Sequence, residues 1–219
     1  MLGILVPLAL EKHLSAIVLL GAVGVILMFL SGTKARYLMG GAALGLAFVG
    51  VYVFLMGYAG DRVTAWLHPE ADPSDTGYQI LQSLYAIGSG GLFGLGYGKG
   101  RQKYLYLPFQ YNDYIFAVVC EELGLIGALA ILVIFALLIA RGYWISGRLR
   151  NRFSALLCAG LTTLIAVQTM LNICIVTNLL PSTGVALPFF SYGGTALAVN
   201  LGEMGIILGL SRESQEETL

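Results

Sequence analysis

Apolar runs constrain this chain more than any other feature. Residues 14–30 (LSAIVLLGAVGVILMFL) and 37–58 form two of them, 114–140 and 153–180 two more, and 194–210 a shorter, glycine-rich one. Each approaches the roughly 20 residues that a hydrocarbon layer about 30 Å thick requires. Only 11% of positions are charged, where soluble domains carry about a quarter. The expected fold is therefore all-α: a polytopic transmembrane helical bundle of about five complete spans plus a truncated one, forming one membrane domain over residues 1–219. MLGILVPLAL at the start is too short to span, and it lacks the basic start and cleavage site of a signal peptide. It reads as the tail of a preceding helix.

The 12 basic and 12 acidic residues leave no net charge, so nothing points to nucleic acid. Cys120, Cys158 and Cys174 lie in apolar runs without CxxC spacing. They read as reduced core residues, with no disulfide framework and no zinc site. Lys34 and Arg36, then Arg141, Arg148, Arg150 and Arg152, then Arg212 fall in alternate connections, which places those connections in the cytoplasm. Glu11–His13, 59–112 and 181–193 then face outward. The long loop holds Arg62, Lys99, Arg101 and Lys103, but long translocated loops count little in that rule.

A 54-residue connection (59–112) is too long to be idle in a compact bundle. Within it, TGYQILQSLYAIG (76–88) has helical apolar spacing at Ile80, Leu81, Leu84 and Ile87, with Gln79 and Gln82 interleaved. It reads as a helix in or against the outer interface. GSGGLFGLGYGKG (88–100) follows, with seven glycines. Neither GxGxxG nor GxxxxGK[ST] fits, and no βαβ context surrounds it. Two readings remain: a close-packed turn needing positive φ, or backbone amides that suit a polyanion beside Lys99, Arg101 and Lys103.

Three carboxylates follow in LPFQYNDYIFAVVCEELGLIGA (107–128). Asp113 stands where the chain re-enters the membrane, either as a helix N-cap or as a chemical group. On a continuous helix Glu121 would lie roughly 12 Å further along, turned some 80° away, with Glu122 nearly opposite Asp113. Charges at bilayer depth cost at least about 2.5–3.5 kcal/mol and face partners or a cavity. Glu121 is expected to line a polar cavity, and Glu122 and Glu203 to bond between helices, with Gln168, Asn172, Asn178 and Asn200 as partners. LLPSTGVALPFFSYGGTA (179–196) cannot be continuous helix because of Pro181 and Pro188. With Ser182, Thr183, Ser191 and Tyr192 it is either a plain re-entrant turn or a second wall of an outward site.

Three blocks together, GYQILQSLYAIGSGGLFGLGYGKGRQKYLYLP, NDYIFAVVCEELGLIG and LPSTGVALPFFSYGG, resemble the SEDS family (shape, elongation, division and sporulation). The likeness runs along essentially the whole chain and covers the second half of a ten-span pattern, from the end of span five onward. It implies a peptidoglycan glycosyltransferase of the bacterial plasma membrane that polymerises lipid II, with undecaprenyl diphosphate leaving. The family's catalytic aspartate falls on Asp113. Phe109 stands where a glutamate is usual, Asn112 where a threonine is usual, and His13 where an aspartate is common. Asp113 would act as general base, and Arg62, Arg101 and Lys103 would steady the departing diphosphate, with Lys99 as a further candidate. Gln79, Glu121, Ser191 and Tyr192 complete the expected substrate site. No metal ligand cluster is visible, although a divalent cation would suit the diphosphate. Expected partners are membrane lipid and a class B penicillin-binding protein. The rival readings are a lipid-linked-sugar flippase, against which stands the lack of an internal repeat, and a non-catalytic scaffold. The family motifs do not choose among division, elongation and sporulation.

Overall fold

The computed structural model describes residues 14–56, 58–71, 76–101 and 111–216. Met1–Leu10, His13, Lys103 and Phe109 lie outside the described residues, as does the side chain of Arg62. Among the described residues the chain is helical, with no strand: α1 (Leu14–Leu30), α2 (Ala35–Met56), α3 (Tyr58–Leu67), a 3-10 turn (Pro69–Ala71), α4 (Thr76–Gly90), α5 (Ile115–Arg148), α6 (Arg152–Val176) and α7 (Gly194–Glu216). Ile115–Arg148, Arg152–Val176 and Gly194–Arg212 are long and apolar enough to cross a membrane. The chain is a multi-pass membrane protein, since lipid leaves helices that satisfy their own backbone as the open-chain solution.

The residues form two compact units. The first comprises Met1–Tyr52, Ala136–Val167 and Thr195–Leu219. Its joint between α5 and α6 depends on small residues and hydroxyls. A side chain at Gly142 would strike Thr162, Tyr143 and Thr163 share a 2.8 Å hydrogen bond, and Ser146 donates to the Ala155 carbonyl at 2.8 Å. Arg152 donates to the Ser31 carbonyl at 2.6 Å. Arg141 and Arg148 both stack on Trp144, at 3.9 and 3.6 Å. These two arginines therefore sit on α5 itself, which runs through to Arg148 where the apolar pattern alone suggested an end at 140.

The second unit comprises Val53–Phe135 and Gln168–Gly194. Its core joins Ala86, Tyr114, Phe116, Ala117, Cys120, Val176 and Leu187. The helix expected over 76–88 is present as α4, and its inner face is fully covered: Ile80, Ser83 and Ala86 are buried, and Ser83 donates to the Val176 carbonyl at 2.8 Å. Trp66 on α3 donates through Nε1 to the Asn178 carbonyl at 3.0 Å.

A continuous 34-residue helix would measure about 51 Å, well beyond the hydrocarbon thickness. The structure breaks it. Gly124 has φ 68° and ψ −170°, so 115–123 is a short helix of its own and the strongly apolar stretch starts at Leu125. Glu121 and Glu122 consequently precede the break and stand outside the apolar run that follows it. Asp113 lies in the turn ahead of Ile115, so the straight-helix spacing does not extend back to it from these glutamates.

Candidate active site and its supporting loop

Asp113 belongs to a turn (111–114) just ahead of α5. The connection 182–192 clasps this turn at several points. Asn172 on α6 sends both amide hydrogens to main-chain acceptors, the carbonyls of Asp113 and Val185, each at 2.7 Å. Ser191 donates to the Asn112 carbonyl at 2.6 Å and accepts from the Leu187 N–H at 2.7 Å. The Tyr192 N–H donates to the Tyr111 carbonyl at 2.7 Å, and the Tyr114 hydroxyl donates to Ser182 Oγ at 3.1 Å. These bonds pack the 179–196 connection against the turn that bears Asp113. The proline-interrupted stretch lies against the turn because Pro188 and the positive φ angles of Asn178, Gly184 and Phe189 keep it from being helix.

The Asp113 carboxylate is half-buried against Gly184, where a Cβ would stand 3.4 Å from Oδ2. Burial alone pushes its pKa up from the ordinary value, because desolvation disfavours the charged form. Among the described residues none donates to this carboxylate, so it is not working as an N-cap there. It is left as an acceptor with heightened affinity for a proton.

Glu121 and Glu122 do something the residue pattern did not suggest. Glu121, 1% exposed, accepts from the Arg101 N–H at 2.7 Å, and Glu122 accepts from the Gly98 N–H at 2.9 Å. Through these bonds both hold the glycine-rich loop and its C-terminal edge, a role that neither the cavity reading nor the interhelical one anticipated. The loop in turn repairs the break in α5. The Leu95 and Gly96 amides donate to the Glu121 and Glu122 carbonyls at 2.9 and 3.0 Å, and the Leu125 and Ile126 amides donate to the Gly91 and Leu92 carbonyls at 2.9 and 3.2 Å. Groups that a helix end would leave orphaned thus find partners on both sides of Gly124.

Such closeness excludes side chains. A Cβ at Gly90 would land on the Cys120 carbonyl, one at Gly94 on the Glu122 carbonyl, and one at Gly124 on the loop backbone. The close-packed-turn reading of 88–100 therefore describes the loop. The amides of Gly94, Leu95, Gly96, Gly98, Lys99 and Arg101 are bonded within the protein, which withdraws these six from the polyanion reading.

Of the other expected site residues, the side chains of Lys99 and Arg101 are exposed. Gln79 is half-buried on α4, Arg62 lies on α3, and Tyr192 projects outward. Ser191 uses its hydroxyl twice within the fold. Among the described residues no three His, Cys, Asp or Glu side chains gather to hold a metal. Asn172 was visible in the sequence as a polar residue in an apolar helix, but its partner there was expected to be a carboxylate and is a peptide.

A family model described as cell cycle protein (FtsW, RodA, SpoVE) matches residues 1–216. The protein named "Probable peptidoglycan glycosyltransferase FtsW" of Geobacter metallireducens is 41% identical over 96% of this chain and 56% of its own length. Stage V sporulation protein E of Bacillus subtilis is 42% identical over 87% of this chain and 52% of its length. Peptidoglycan glycosyltransferase MrdB of Escherichia coli is 42% identical over 92% of this chain and 55% of its length. Among solved structures, a chain of a peptidoglycan synthase complex that coordinates polymerization and crosslinking superposes with a TM-score of 0.78, 25% identity, and coverage of 94% of this chain and 58% of that one. The rod-shape-determining protein RodA of Thermus thermophilus superposes with a TM-score of 0.64 at 22% identity, covering 96% and 54%. The chain spans little over half the length of the curated relatives it matches.

Proposed function

Since this chain belongs to the FtsW/RodA/SpoVE family of cell cycle proteins, we propose that its whole protein is a peptidoglycan glycosyltransferase polymerising lipid II, with Asp113 as the general base. One observation carries the reading. The Asp113 carboxylate, free of hydrogen bonds from described residues and made more basic by burial, sits where the 111–114 turn meets the 182–192 connection. A general base needs a pKa raised toward the working pH and a fixed position.

In the proposed step, a sugar hydroxyl of the acceptor gives its proton to the Asp113 carboxylate as its oxygen attacks the donor's anomeric carbon. A C–O bond forms there, and the bond from that carbon to the diphosphate oxygen breaks, its electron pair leaving with the diphosphate. Cations of the 59–112 connection suit that departing charge: Lys99 and Arg101, exposed among the described residues, and Arg62 and Lys103 by sequence. Gln79, Glu121 and Tyr192 belong to the proposed substrate site as its walls or supports, and Ser191 as a strut beneath it.

A substrate with its sugars outside and its tail in lipid requires Asp113 at the outer face of the plasma membrane. The alternation of basic connections supports this orientation. A class B penicillin-binding protein partner is supported by the likeness to a synthase complex that coordinates polymerization with crosslinking.

The test is Asp113→Asn in the full-length protein, with glycan strands made from purified lipid II separated on gels. Polymerisation is expected to fall by at least about 10²-fold in protein that still folds. A folded Asp113→Asn protein that polymerises normally removes the proposal.

A further inference from the structure

The loop that splints α5 has a second face. Its inner side is joined to 121–126, while its outer side presents Leu92, Phe93 and Tyr97, the last two 80% and 89% exposed. In a soluble protein such a group would be a liability or a binding site. Here it stands beside Leu123, Leu125 and Ile126, which are exposed on the helix at the break, and the exposed row continues down the apolar stretch through Leu129, Val133 and Ile134. Lys99 and Arg101, both exposed, follow immediately. Aromatic rings beside an apolar run, then cations, is the order met in crossing from hydrocarbon into the headgroup layer.

We infer that residues 91–97 are a membrane anchor: Leu92, Phe93 and Tyr97 sit in the boundary layer of the lipid bilayer, at the level where the spanning part of α5 starts. Two observations select lipid over water as the occupant. The exposed apolar face is continuous with that of a membrane-crossing helix, and its depth is fixed by the four backbone bonds that tie 91–96 to 121–126. The anchor also has a job in the fold. The short helix 115–123, about 13 Å long, starts two residues after Asp113 and ends at the tied loop. Lipid holding the loop tip therefore sets the height of Asp113 above the membrane core. This goes beyond the proposed chemistry, because it concerns where the unit rides in the bilayer whatever reaction it performs.

Nitroxide labels at Phe93→Cys, Tyr97→Cys and Lys99→Cys test it in the full-length protein, with its reactive native thiols replaced, in proteoliposomes. Power-saturation measurements compare collisions with oxygen, which concentrates in lipid, and with a water-soluble nickel chelate. The anchor predicts severalfold greater access for oxygen than for the chelate at 93 and 97, and the reverse at 99. Chelate access dominating at 93 and 97 would mean an aqueous loop and overturn the inference. Exclusion of both reagents would mean that protein, not lipid, covers the tip, and would overturn it equally. If a label at 93 disturbs folding, Leu92→Cys carries the same readout.

Discussion

Asn172 holds Asp113 by its peptide and leaves its carboxylate alone: Nδ2 lies 2.7 Å from the Asp113 carbonyl oxygen. Its second hydrogen reaches Val185 at the same distance, and its Oδ1 is buried without a hydrogen-bond partner among the described residues. Two carbonyl acceptors fix the amide's orientation, because flipping it would set oxygen against oxygen. The residue ties the turn that bears Asp113 to the connection bearing Gly184, so the carboxylate's seat depends on it.

Asn172→Leu should therefore destabilise the protein and reduce activity together. Two carbonyls in a buried setting lose their donor, at about 1–3 kcal/mol each. Asn172→Asp should be at least as harmful, since an ionised carboxylate donates nothing and faces two oxygens. Thermal unfolding in detergent or nanodiscs, paired with a polymerisation assay, checks both. An Asn172→Leu protein that melts and polymerises like the parent would show that the bridge is dispensable.

The raised pKa of Asp113 has an effect on stability and one on rate. The folded protein binds this proton more tightly than the unfolded chain does. The group thus favours folding below the ordinary aspartate pKa, and that contribution is lost as pH rises through the raised folded value. At neutral pH Asp113→Asn should melt no lower than the parent, with any advantage shrinking on acidification. Activity should rise along an acid limb centred above the ordinary aspartate value, since the base works ionised. A limb at or below that value would contradict the burial argument.

Glycine substitutions should separate by neighbour rather than by glycine count. Gly124→Ala and Gly94→Ala combine positive φ with a methyl group driven into backbone, so both should abolish folded expression. Gly96→Ala has φ +103° but meets only the flexible Lys99 stem at 3.4 Å. It should cost about 1–3 kcal/mol for backbone strain alone. Fluorescence size-exclusion profiles of the three variants distinguish these outcomes.

For the loop latch, Glu122→Gln keeps an acceptor for the Gly98 N–H, whereas Glu122→Leu removes it. The first should cost less than the second, by about 1–2 kcal/mol. Hydrogen exchange at Gly98 and its neighbours should accelerate clearly in Glu122→Leu and little in Glu122→Gln. Equal acceleration in both would mean that the charge, not the hydrogen bond, holds the loop.

Much of the helical layout was legible because apolar run length and period are local properties. α1, α6 and α7 fall close to where the runs placed them, and the helix at 76–88 appears as α4. What was hidden is which surface faces which. Periodicity marked Ile80 and Leu84 as one apolar face of α4 but could not say that α6 covers Ser83. Gly124 carries no signal of its own in the sequence, because an isolated glycine is ordinarily tolerated within a helical pattern and the loop that makes a break affordable lies well upstream. For the same reason the two glutamates seemed to stand deep in a span, and a cavity or an interhelical bond was the natural expectation. Asp113 was placed by the family likeness, while its setting against Gly184 needed coordinates.

The splint across Gly124 also bears on how the chain assembles. The loop is made before the helix it completes, so when Leu125 and Ile126 leave the ribosome their carbonyl partners already exist. The apolar stretch can then enter the bilayer with its leading amides already matched. An insertion or deletion within 91–96 would shift that register and leave bare polar backbone at the very point where lipid begins, so at its non-glycine positions, Leu92, Phe93 and Leu95, this short stretch should tolerate changes of side chain far better than changes of length.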